Sequence, residues 1–175
     1  MVYFLIKLLQ GCFEVEKYIL DNDLDNISKL IENICLRIDK YIIDTDLFSS
    51  ALYEVIINAI EHGNLNILYE QKKEWLQKNI YNKKLNELLK SELAQNTNIE
   101  LTLDINENDR TITITVKDSG EGFNINKALK SIKNDGFARE SGRGIIIIKS
   151  YFDEVTHNRK GNIITLIKKF NKNIK

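Results

Sequence analysis

Apolar residues recur along this chain in two rhythms, a helical one early and an alternating one later, with no proline to interrupt either. Asp21 to Asp25 offers capping residues for a helix whose apolar positions are Ile27, Leu30, Ile31, Ile34 and Ile38, the spacing of one buried stripe. A second helix is predicted from about Asp46 to Glu61, with Leu47, Ala51, Leu52, Val55, Ile56, Ala59 and Ile60 facing the core. His62-Gly63-Asn64 should stop it, because glycine is the usual residue just past a helix end. Before these helices, Phe13 and Val15 alternate with Glu14 and Glu16 until the pattern lapses at Lys17, which predicts a short strand. Met1 to Leu9 is apolar apart from Lys7 and reads as an extra strand; it lacks the features of a secretory leader and is too short to span a bilayer.

The clearest hairpin lies later. Ile99, Leu101, Leu103 and Ile105 alternate with polar residues, Asn106 to Asp109 turn, and Ile112, Ile114 and Val116 alternate again. Gly144 to Phe152 predicts a buried helix, followed by strands near Val155 and from Ile163 to Phe170 joined by a turn at Asn158 to Asn162. Residues 65–98 are polar, and Trp75, Leu76, Ile80, Leu85, Leu88 and Leu89 suggest one or two amphipathic helices. Helices followed by hairpin-linked strands predict an α+β two-layer sandwich, a mixed but mostly antiparallel sheet with helices on one face. The expected organisation is a single domain over 1–175 with a helical insertion at about 65–98.

Charge narrows the chemistry. Lys plus Arg and Asp plus Glu both number 25, so no basic excess exists to offset a nucleic-acid backbone. Cys12 and Cys35 form neither a metal spacing nor a disulfide framework, which suits a reducing, cytoplasmic setting.

Three stretches carry candidate chemistry. Glu54, Asn58 and His62 are spaced by four, which on a helix puts them on one side of an otherwise apolar element. A metal–phosphate complex would satisfy such a polar stripe, as would plain solvent. The amide oxygen of Asn58 is a hard ligand suited to Mg²⁺, and Glu54 one turn earlier could orient a hydroxyl or accept its proton. Asp118-Ser-Gly120-Glu-Gly122 follows a strand end, where a carboxylate can accept a hydrogen bond from an exocyclic amine such as that of adenine. The same residues are also ordinary turn chemistry. Arg139-Glu-Ser141-Gly142-Arg143-Gly144 opens the last helix, with Ser141 or Gly142 at its cap. Free amides there make an anion site to which Arg143 and Arg139 add charge. Gly120, Gly122, Gly136, Gly142 and Gly144 cluster between rigid elements, as a lid over a ligand requires.

Those stretches, in that order, resemble the boxes of the GHKL ATPases, the superfamily of gyrase, heat-shock chaperone, histidine kinase and mismatch-repair proteins. Glu54-x3-Asn58 is similar to the N box, Asp118-x-Gly120-x-Gly122 to the first glycine box and Gly142-Arg143-Gly144 to the second. Within the superfamily, Ala51 to Gly63 and Ser141 to Val155 look most like the anti-sigma-factor serine kinases of bacterial partner-switching systems. The resemblance covers roughly Phe13 to Lys169 apart from residues 65–98.

What the resemblance implies is specific. Asn58 would ligate Mg²⁺, Glu54 would be the catalytic base, and Asp118 would bind the adenine amino group of ATP. Gly120 and Gly122 would shape the adenine pocket, and Ser141 to Gly144 would hold phosphates. The family carries Thr after the glycine of the last hairpin, where it helps bind adenine; here Asn162 follows Gly161. The implied partner is a small antagonist protein with an acceptor serine or threonine, with a sigma factor as alternative partner; relatives of this type are often homodimers. A module that binds ATP only to set its surface shares the same boxes. A sensor histidine kinase core would need an acceptor histidine, and neither His62 nor His157 sits on a separate dimerisation helix. Residues 65–98 are either a partner-specific surface or an inert elaboration.

Overall fold

The computed structural model describes residues 6–10, 13–122 and 140–171, with side chains over 15–122 and 144–171. Its strands are β1 (Ile6–Gln10), β2 (Phe13–Asp21), β3 (Asn98–Asn106), β4 (Thr111–Asp118), β5 (Glu154–His157) and β6 (Ile163–Lys169). They form one sheet in the order β1-β2-β3-β4-β6-β5. Every pairing among the described strands is antiparallel, so the parallel element of a mixed sheet is not found there. The helices are α1 (Leu24–Ile38), α2 (Thr45–Asn58), α3 (Tyr69–Gln77), α4 (Tyr81–Leu89), α5 (Glu92–Gln95) and α6 (Glu140–Tyr151). This is the expected α+β arrangement. Among the described residues no helix is long and apolar enough to cross a membrane.

The core forms where the two rhythms meet. Leu101, Leu103, Ile112, Ile114 and Val116 present one face of β3 and β4, and Ile27, Leu30, Ile34, Leu52 and Ile56 cover it from α1 and α2. Alternation is strict along β4 and along β3 as far as Ile105, because one face is packed and the other is not; Asn106, at the end of β3, is buried as well. Phe48 meets Tyr151 and Phe152 edge-on, with ring centroids 5.7 and 6.1 Å away, and so fixes α2 against the end of α6. Leu47, expected in the stripe, stays more than a third exposed, and Phe48 takes the core position.

The strand at Phe13 departs most from its expected reading. It runs to Asp21, and its core-facing residues are Glu16, Tyr18 and Leu20, the opposite set from Phe13 and Val15. A one-residue change of phase turns every side chain over. Buried Glu16 hid the phase: Arg37 of α1 donates to it at 2.6 Å and Tyr18 also donates its hydroxyl. Both lone carboxylate oxygens are therefore satisfied, which is the condition for burying a charge.

Residues 65–98 are helical throughout their middle, in three short helices rather than one or two. Leu85 is buried, and Trp75, Tyr81, Leu88 and Leu89 pack partly against the main core. The segment is thus joined to the core rather than hanging from it.

Candidate functional site

Helix α2 carries Glu54 and Asn58 on a half-buried side. Among the described residues, neither side chain has a hydrogen-bond or ion-pair partner. Glu54 also lines an open cleft of about 420 Å³ with Ser28, Ile31, Ser49, Ser50, Tyr53 and Ile147. Burial pushes the Glu54 carboxyl above the usual carboxylate range; Lys72 works against that rise and Glu61 adds to it. Helix α6 reaches this side chain at Gly144. A Cβ there would overlap the Glu54 carboxylate and lie 3.0 Å from its Cδ, so any larger residue would push that carboxylate aside.

Beyond Asn58 the helix does not stop but widens into a π-helical turn, Ala59–Asn64. Its signature is the Leu65 amide donating to the Ile60 carbonyl at 2.8 Å, a reach of five residues. The wider turn breaks the four-residue register that would align His62 with Glu54 and Asn58. His62 Nδ1 lies 2.6 Å from the Ile67 carbonyl oxygen. A carbonyl only accepts, so that nitrogen carries the proton and the ring serves to close the loop after the turn. Sequence spacing missed the residue before it: Glu61 is completely buried.

Gly63 is not a left-handed helix cap, since the glycines with positive φ among the described residues are Gly122 and Gly161. Its role is close approach. A Cβ on Gly63 would sit 2.6 Å from both Cβ and Oδ1 of Asp118, inside van der Waals contact. Asp118 ends β4 buried, and the Gly120 amide donates to its Oδ1 at 2.9 Å. Burial raises the Asp118 carboxyl above its ordinary range, while that amide and Lys160 pull the other way. Lys160 also donates to the Gly120 carbonyl at 3.0 Å, and Gly122 adopts φ 82°, open to glycine at no cost. Asn162 is adjacent, but its amide is engaged within the protein: Nδ2 donates to the Asp118 carbonyl at 3.3 Å, and Oδ1 accepts from Asn158 at 3.0 Å. It braces Asp118 through the backbone.

A buried asparagine pair holds this region together. Asn64 donates to Asn22 Oδ1 at 2.7 Å and accepts the Ser119 amide at 2.8 Å, while Asn22 donates to the Ala94 carbonyl at 2.8 Å. The end of the π turn, the end of β2, helix α5 and the glycine-rich turn are thereby fixed to one another. No spacing rule in the sequence points to this pair, because its members are 42 residues apart.

Helix α6, expected to open at about Gly144, begins at Glu140. Ser141, Gly142 and Arg143 lie within its first turn, so neither Ser141 nor Gly142 is the cap. In a helix starting there, the amides without an internal partner belong to the residues before Gly144. Gly144 therefore meets Glu54 rather than offering a free amide. The side chains of residues 140–143 and all of Arg139 lie outside the described residues.

Two close approaches thus bring the three stretches together: Gly63 against Asp118, and Glu54 against Gly144. The donor set fits a magnesium–triphosphate complex. Half-buried Asn58 offers an uncommitted hard oxygen. Among the described residues no group of three or more His, Cys, Asp or Glu could hold a metal alone, so the ion would be shared with phosphate oxygens and water.

Residues 85–168 match the family model described as the histidine kinase-like ATPase domain. The matched span runs from α4 through β6 and takes in Asp118, the glycine-rich turn and α6; Glu54 and Asn58 precede it. No curated protein matches the chain.

Proposed function

Because residues 85–168 match the histidine kinase-like ATPase domain, we propose that the chain transfers the γ-phosphoryl group of ATP to a serine or threonine hydroxyl on a partner protein. The regulatory setting we propose is a cytoplasmic partner switch of the anti-sigma kind, with a sigma factor as the alternative partner. The observation that carries this reading is the contact of Glu54 with Gly144, which puts a carboxylate at the phosphate-side helix, one turn from Asn58.

Each residue then has a task. Asp118, braced by Gly120 and Asn162, accepts from the adenine amine. Asn58 would hold Mg²⁺, which when bound neutralises phosphate charge. The amides opening α6 receive the phosphates. Glu54 orients the incoming hydroxyl and takes its proton as the oxygen–phosphorus bond forms and the bond to ADP breaks. Phosphoryl transfer asks mostly for positioning and charge neutralisation, and a raised Glu54 pKa brings the base nearer to working pH.

The test is incubation of the full chain with γ-labelled ATP and a small candidate antagonist protein drawn from the products of neighbouring genes. Label on a serine or threonine of that protein is expected. ATP bound tightly with no label transferred would overturn the kinase reading and leave an ATP-binding regulatory module.

A further inference from the structure

Glu61 is completely buried, directly after the helix that bears Asn58. Two residues from the 65–98 segment satisfy it: Lys72 of α3 forms an ion pair with Oε2, and Tyr81 of α4 donates its hydroxyl to Oε1. The Lys72 side chain is only 17% exposed, and its ammonium also lies 5.5 Å from the centre of the Tyr81 ring. Lys72 and Glu61 both act on Glu54, with opposite sign. The pair therefore sits in the field of the candidate site, where a triphosphate would arrive beside two carboxylates on one helical run.

We propose that Lys72 is a positioning cation of the nucleotide site, supplied by the helical insertion, which cancels the buried Glu61 charge so that a polyphosphate can bind beside Glu54. This rests on the reading that the site holds phosphates. It also makes residues 65–98 a part of that site, neither an ornament nor only a partner surface. Water screens this pair poorly because Glu61 is buried and Lys72 is mostly covered, so its charge balance is felt at the site.

The signature is a change of sign that structural damage would not give. Titration calorimetry of the full chain with Mg²⁺ and ATP or ADP compares Lys72→Met, Glu61→Gln and the double variant. Lys72→Met should weaken ATP binding about tenfold and ADP binding less, the loss growing with phosphate charge. Glu61→Gln leaves a surplus cation and should tighten ATP binding severalfold, and the double variant should return to within about threefold of the wild type. Lys72→Arg should keep the wild-type affinity. Trp75, the one tryptophan, lies on α3 and its emission checks that the helix stays docked. Should Lys72→Met not fold, Glu61→Gln and the double variant decide by the same signs. Weakening by Glu61→Gln, or equal losses for ATP and ADP, would overturn the proposal while leaving the ATP site standing. A wild-type chain that binds no ATP would overturn both.

Discussion

Glu54→Gln is expected to lower phosphoryl transfer about 10²–10⁴-fold while nucleotide affinity stays within a few-fold, the usual worth of a general base. The amide keeps the shape of the carboxylate against Gly144, so α6 has no reason to move. A second readout separates loss of chemistry from loss of structure. The folded-state pKa of Glu54 lies above its unfolded value because burial disfavours the charge. Such a group contributes stability at low pH that is lost as pH rises through the folded pKa. At neutral pH the buried charge is a cost, and the uncharged amide removes it. Thermal unfolding of the nucleotide-free variant should therefore occur at a higher temperature than wild type at pH 7, with the gap closing below the ordinary glutamate range. Transfer at the wild-type rate, or a variant less stable than wild type at pH 7, would contradict the assigned role.

Gly63→Ala should act on the other half of the site. Its added methyl meets the Asp118 side chain and strand-end Cβ at 2.6 Å, and neither is the far end of a flexible chain. Either the π turn or Asp118 must shift. Overpacking of this kind costs about 2 kcal/mol, which for a chain of this size lowers the melting temperature by roughly 4–8 °C. The carboxylate is displaced from the Gly120 amide, so discrimination of adenine from guanine nucleotides should fall with it. Measuring ATP and GTP affinity in the variant checks this; unchanged preference with unchanged stability would show that Gly63 and Asp118 are not in contact.

The parts of the fold that depend on periodicity were readable from the residues. The stripe from Ile27 to Ile38 and the hairpin from Ile99 to Val116 are where expected, because one buried face imposes its period on the sequence. Where buried polar groups hold the structure, the period misleads. Glu16 reads as solvent-facing, yet it occupies the core side of β2 with Arg37, and this reversed the strand's phase. Glu61 lies at a predicted helix end outside the apolar stripe, and its partners Lys72 and Tyr81 come from helices whose docking no local pattern gives. At the candidate site, Glu54, Asn58 and Asp118 stand out in the sequence because their residue types and order are informative. The widening of the helix after Asn58 was not, since Gly63 suits a helix stop as well as a close approach. Gly144 was expected to offer an amide to phosphate, and its real neighbour is the Glu54 carboxylate.

The most direct measurement is calorimetric titration of the full chain and its Asn58→Ala variant with ATP, with and without Mg²⁺. Asn58 has no partner among the described residues, so its truncation should leave folding intact. Its loss should weaken Mg²⁺-dependent ATP binding by at least about 10–100-fold, the cost of losing even an outer-shell partner of a metal site. Equal affinity of both proteins for ATP in the presence of Mg²⁺ would show that this side chain faces solvent rather than a metal-bound triphosphate.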